Sequence, residues 1–104
     1  MAQVKPKAEA QGMAIYDENF TPALLNVFPE LTKPEVRVLY LYATAYDMRT
    51  IAQELGISIN TISIHLTHVK EKYGLEKNIE LRSVYAARTN SLYLMTLFKL
   101  VGNK

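Results

Sequence analysis

The chain has 104 residues, a length at which one compact domain with a single core is expected. About half of the residues are apolar and a fifth are charged, a globular composition that excludes a disordered or fibrous chain. It holds no cysteine, which removes disulfides, thiol nucleophiles and thiolate zinc sites together and agrees with a reducing, cytoplasmic location.

The net charge of +2 is unevenly placed. Residues 1–30 carry two bases against four acids, whereas residues 31–104 carry ten against six. Positive charge therefore accompanies the periodic part of the chain, where a nucleic-acid partner would need it. Residues 1–12 lack the apolar run of a signal peptide, and the most apolar stretch, residues 92–101, is far shorter than the ~20 residues of a membrane-spanning helix. Neither secretion nor a membrane partner is expected.

In chain order, residues 1–12 show no periodicity and are expected to be an arm or linker. Thr21 followed by Pro22 has the form of an N-cap and first helical residue, leading into a short helical turn over Ala23, Leu24, Leu25, Val27 and Phe28 that Pro29 ends. Thr32-Lys33-Pro34-Glu35 has the capping-box form, in which the hydroxyl of Thr32 and the carboxylate of Glu35 each bond the other's amide. It predicts a helix whose apolar face comprises Val38, Leu39, Leu41 and Tyr42 and whose pattern relaxes at residues 44–46.

Asp47 is placed to cap a second helix with Ile51, Ala52 and Leu55 on one face. Gly56 follows, suited to a left-handed closure, and Ser58 caps the next start. The third helix, residues 59–73, carries Ile62, Leu66, Val69 and Tyr73 at steps of four, three and four, a single buried stripe. Its outward face is then Asn60, Ser63, Ile64, Thr67 and Glu71, with Thr61, His68 and Lys70 at the margins. Gly74 ends it. Asn78 is expected to cap a fourth helix with Leu81, Val84 and Tyr85 inward and Arg82 and Arg88 outward. Thr89-Asn90-Ser91 reads as a polar break, and residues 92–101 as either helix or strand.

The fold class is therefore all-α, a four-helix domain at residues 31–88 with an N-terminal arm or linker at 1–30 and an apolar C-terminal extension at 89–104 that could serve association. Residues 47–73 have the helix, tight turn, helix pattern that major-groove recognition uses, with the second helix presenting small polar groups to base edges.

The run Leu31-Thr32-x-x-Glu35-x-x-Val38-Leu39, then Ile51-Ala52-x-x-Leu55-Gly56-Ile57-Ser58-x-x-Thr61-Ile62-x-x-His65-Leu66, then Lys72-Tyr73-Gly74-Leu75 and Glu80-Leu81, resembles the LuxR-type (GerE/FixJ-like) helix-turn-helix of transcription regulators. The resemblance covers residues 31–88. It implies a tetrahelical domain that binds double-stranded DNA as a homodimer, the third helix in the major groove and the fourth used for self-association. Carried over by position, Ser63, Ile64 and Thr67, beside Asn60, fall where bases are read, while Arg49, Thr61 and Lys72 fall near phosphate-contacting positions. Lys70 and Lys77 add nonspecific attraction to phosphates.

Two departures stand out. Many members of that family carry a basic residue where this chain has Ser63, whose hydroxyl cannot reach a guanine edge or phosphate at the same range. Charged residues are also common at the positions of Val36 and Tyr40, which lie four apart on one helix face. A cover is expected for them: the residue 16–28 segment, the 92–101 tail or a second subunit.

The bland alternatives hold elsewhere. His65 and His68 are spaced for a metal pair, but no third ligand accompanies them, so His65 is expected beside the core and His68 at the surface or near phosphate. Most of the seven tyrosines sit at core spacing, which favours packing over base stacking. No phosphate loop, nucleophile elbow or acid pair indicates an enzyme, and no cofactor is expected. The run Lys70-Glu71-Lys72 is equally a solvated face or a phosphate contact. The expected function is a sequence-specific DNA-binding regulator, with RNA polymerase or a related regulator as further partners. Two rivals stand beside it: an interaction module that titrates a related regulator without binding DNA, and the output domain of a longer sensor-regulator.

Overall fold

The structure, a computed structural model, describes residues 15–102. The arm expected at residues 1–12 lies outside them. Five α-helices follow in order: α1 (Phe20–Val27), α2 (Lys33–Ala43), α3 (Met48–Leu55), α4 (Ile59–Tyr73) and α5 (Ile79–Val101). Among the described residues there is no strand, in agreement with the all-α reading.

Helix α2 is the hub, packed against each of the other four. Its start is the expected capping box: the Thr32 amide donates to Glu35 Oε1 at 2.9 Å, and the Glu35 amide to Thr32 Oγ1 at 3.3 Å. Val36, Val38, Leu39 and Leu41 are fully buried, so the helix is covered on nearly every side. Ile51 of α3, Ile62, Leu66 and Val69 of α4, Leu81 of α5 and Phe28 after α1 close the same core. Each such side chain contributes about 1.5–3 kcal/mol on leaving water. Helix α2 ends in an unusual way: Ala45 takes φ 77°, in the left-handed region, and the Ala45 and Tyr46 amides donate back to the Tyr42 and Leu41 carbonyls. An alanine there carries a steric cost that a glycine would not.

The apolar face at Val36 and Tyr40 is covered from within the chain. Tyr40 is ringed by Tyr16 and Phe20, with centroids at 5.5 and 5.6 Å, and by Tyr85 of α5 at 6.1 Å. The Tyr16 and Tyr85 contacts are edge-to-face, a geometry that adds about 0.5–1.5 kcal/mol each beyond burial. Of the three expected covers, the residue 16–28 segment supplies most of it. Its capping differs from expectation: α1 begins at Phe20, and Thr21 is a buried residue inside it whose hydroxyl shares a 2.6 Å hydrogen bond with the Tyr16 hydroxyl. Thr21 is taken by packing, so the cap position passes to Asn19, which makes no side-chain cap bond.

Helix α5 departs most from the sequence reading. Residues 89–91 do not interrupt it, because the Thr89 hydroxyl donates to the Tyr85 carbonyl of its own helix at 2.8 Å and no proline or glycine intervenes. Residues 92–101 are accordingly helix. Asn78 makes no cap bond; the Glu80 carboxylate accepts from the Glu76 and Lys77 amides instead, which also holds its pKa down. Arg82 and Arg88, expected to face outward, turn inward. Arg82 Nε donates to the Tyr42 carbonyl at 3.3 Å with its guanidinium over the Tyr42 ring, and Arg88 bonds the Val27 carbonyl and both carboxylate oxygens of Glu30.

Candidate nucleic-acid interface

The helix pair α3–α4 is built by local chemistry. Asp47 accepts from the Thr50 amide at 2.8 Å, which starts α3 and lowers the Asp47 pKa. Gly56 closes α3 at φ 69° in the left-handed region, where a Cβ would be strained. Two residues later Ser58 accepts from the Thr61 amide at 3.0 Å and starts α4. One glycine between two capped helices thus sets the angle at which α4 leaves the core.

That angle leaves one stripe of α4 in the core and the opposite stripe in solvent. Ile62, Leu66 and Val69 are buried, with Tyr73 half-buried below them. Asn60, Ser63, Ile64 and Thr67 are all exposed and lie together on the outer face, as the spacing predicts. Thr61 lies at their edge, its hydroxyl within hydrogen-bond distance of the Ser58 hydroxyl at the helix start. Four short side chains with three polar groups and one branched apolar group form a surface low enough to approach base edges.

The basic residues divide in two. Arg49 and Lys77 are exposed and Lys70 is half-buried; among the described residues none has an ion-pair partner. Lys72 does have one. Its ammonium lies 2.6 Å from Glu35 Oε1, so Glu35 holds both the start of α2 and the end of α4. Burial pushes the Glu35 carboxyl up, but the hydrogen bonds from Lys72 and the Thr32 amide outweigh it and leave the pKa below the ordinary value. His68 Nδ1 stands 3.9 Å from the other oxygen of Glu35, exposed as expected, and His65 packs half-buried. No cluster of three potential metal ligands exists among the described residues.

A second anchor was not legible in the residues. The Arg88 guanidinium holds Glu30 in a two-point contact at 2.8 and 2.9 Å, and the Tyr73 hydroxyl donates to the same carboxylate at 2.8 Å. Arg88 thereby draws the Glu30 pKa down to about 2, while burial and the Glu30 contact push the Tyr73 hydroxyl up. The last turn of α4 is therefore fixed from two sides, by Glu35 and by Glu30. The only sequence signal for Glu35 was its capping box, and for Glu30 there was none.

Residues 29–84 match the GerE family, the bacterial regulatory proteins of the luxR family. The chain belongs to the luxR family. The match takes in α2, α3, α4 and the start of α5, hence both helices of the helix-turn-helix. Among curated proteins this luxR-family chain is similar to the oxygen regulatory protein NreC of Staphylococcus aureus, for example from strains JH9, Mu3 / ATCC 700698 and NCTC 8325 / PS 47, with 39% identity over 54 residues. Those residues are 52% of this chain and 25% of each relative, so the aligned part spans about a quarter of the relatives' length. No solved structure matches. Among the described residues, no helix is long and apolar enough to cross a membrane.

Proposed function

We propose that the protein is a cytoplasmic transcription regulator, not an enzyme, that binds double-stranded DNA as a homodimer and recruits or obstructs RNA polymerase. One observation carries this reading: the exposed stripe Asn60, Ser63, Ile64 and Thr67 on a helix whose opposite face is locked into the core. With α4 in the major groove, Ser63, Ile64 and Thr67 read base edges, and Arg49, Thr61, Lys70 and Lys77 contact phosphates. Lys72, near the end of α4, spends one N–H on Glu35 and has two left for a phosphate. Ser63 in place of a longer base leaves discrimination to hydroxyl and methyl contacts. No cofactor enters this mechanism.

The test is selection from random duplex DNA at near-physiological salt. A motif should emerge; Thr67→Ala should change the preferred base, and Lys70→Ala should weaken all sequences alike and reduce the salt slope by about 1. If no motif is enriched, the protein-interaction reading takes its place, which the neutral groove face at Ser63 and the apolar end of α5 favour. The share of each relative that is matched, 25%, supports a further reading of these residues as the output part of a longer regulator.

A further inference from the structure

The distal half of α5 has no partner among the described residues. All eight large apolar side chains in residues 92–101 are between 38% and 75% exposed, and the stretch carries one charge, Lys99. A helix apolar on every side is stable only when something buries it. A lipid surface is a poor match, since a helix lying in the interface needs a charged face and these ten residues are too few to span a bilayer. A contiguous apolar surface of eight large side chains marks an interaction site.

The shape of the surface indicates the occupant. Beside α5 lies a groove of about 450 Å³ whose walls include Val27, Ala87, Ser91, Leu92 and Met95. A second apolar depression, lined by Leu94, Met95, Phe98 and Lys99, continues it along the helix. Met95 belongs to both. Ser91, Met95, Phe98 and Gly102 recur at steps of four, three and four, so they form one stripe, with small residues at its two ends and the bulk between.

We infer that the distal half of α5 is the seam between two copies of this chain, packed antiparallel about a two-fold axis at Met95. In that arrangement Ser91 faces Lys99 of the other copy, and Phe98 enters the space beside Ser91 and Leu92 as a knob enters a hole. A parallel pairing sets Phe98 against Phe98 and leaves both grooves empty. Arg88, at the proximal end of the stripe, brings no unpaired charge because Glu30 already holds it. The inference deepens the pairing part of the proposed function by naming its surface.

The test uses the full chain without DNA, by sedimentation equilibrium at micromolar concentration. The native chain should have the mass of two copies. Met95→Glu, which sets two carboxylates against each other at the axis, should halve that mass while the core keeps its cooperative unfolding transition in urea. Because the chain has no cysteine, Ser91→Cys and Lys99→Cys chains mixed under mild oxidation should join to each other, and Ser91→Cys alone should not join to itself. A native chain with the mass of one copy overturns the inference, and one that also sediments with phosphatidylglycerol vesicles gives the face to a membrane. Two copies retained by Met95→Glu overturn the seam but leave pairing through residues 79–88. Self-joining of Ser91→Cys overturns the antiparallel arrangement. A two-copy protein with no DNA motif sinks the DNA reading alone.

Discussion

The proximal and distal halves of α5 are one continuous helix with opposite surroundings. Leu81 is fully buried against α2, and Leu100, five turns on, is 75% exposed. Between them Arg82, Tyr85 and Arg88 fasten the proximal half to Tyr42, Tyr40 and Glu30, after which nothing among the described residues buries the helix. The contrast separates two things that helical periodicity confounds: the backbone of both halves is satisfied by its own hydrogen bonds, but only the proximal half gains stability from packing.

The sharpest way to break this contrast is to truncate the same residue type in each half. Leu81→Ala should cost about 2–5 kcal/mol in urea unfolding, whereas Leu100→Ala should stay within about 0.5 kcal/mol at concentrations that keep chains apart. Equal losses would mean that the distal half is packed after all. Next in size is the anchor at the end of α4. Lys72→Ala leaves the Glu35 carboxylate buried without its cation and should cost about 1–3 kcal/mol by the same measurement. A neutral outcome would release α4 from α2 and weaken the view of its outer face as rigidly presented.

Smaller again is the contact that ends the fastened half. Both sides of the Glu30–Arg88 pair are partly exposed, so screening limits Glu30→Gln to about 1 kcal/mol at pH 7. The sign of its pH dependence is fixed, because Arg88 holds the folded carboxyl at about 2, below the ordinary glutamate value of 4.5. Its contribution is fully present above about 4.5 and is lost as pH falls toward 2. Melting curves of native chain and Glu30→Gln should therefore converge across that acid window. The smallest expected effect is a gain. Ala45→Gly relaxes the left-handed closure next to the carbonyl that Arg82 grips and should stabilise by up to about 1 kcal/mol.

What could be read from the residues was local. The capping box at Thr32 and Glu35, the caps at Asp47 and Ser58, the left-handed closure at Gly56 and the helix end at Gly74 involve partners within a few positions, and each forms as the spacing predicts. The exposed stripe of α4 was legible for the same reason, since 3.6-residue periodicity decides both faces of a helix at once. What failed was non-local or competitive. Arg88 finds Glu30 58 residues away, Arg82 finds Tyr42 40 residues away, and no pattern along the chain announces either. Asn78 lost its cap to Glu80, and the break at residues 89–91 vanished into back-bonding by Thr89. The bond between Lys72 and Glu35, 37 positions earlier, is likewise non-local and has no signal along the chain.

The uninterrupted course of α5 through residues 89–91 makes it a shaft that keeps phase. Each residue added there would rotate everything beyond it by about 100° and advance it about 1.5 Å. A single insertion would swing the Met95 stripe out of register with α4, while seven, nearly two whole turns, would restore the bearing and lengthen the reach by about 10 Å. On the proposed pairing through that stripe, the separation of the two copies of α4 becomes a length written in helical pitch.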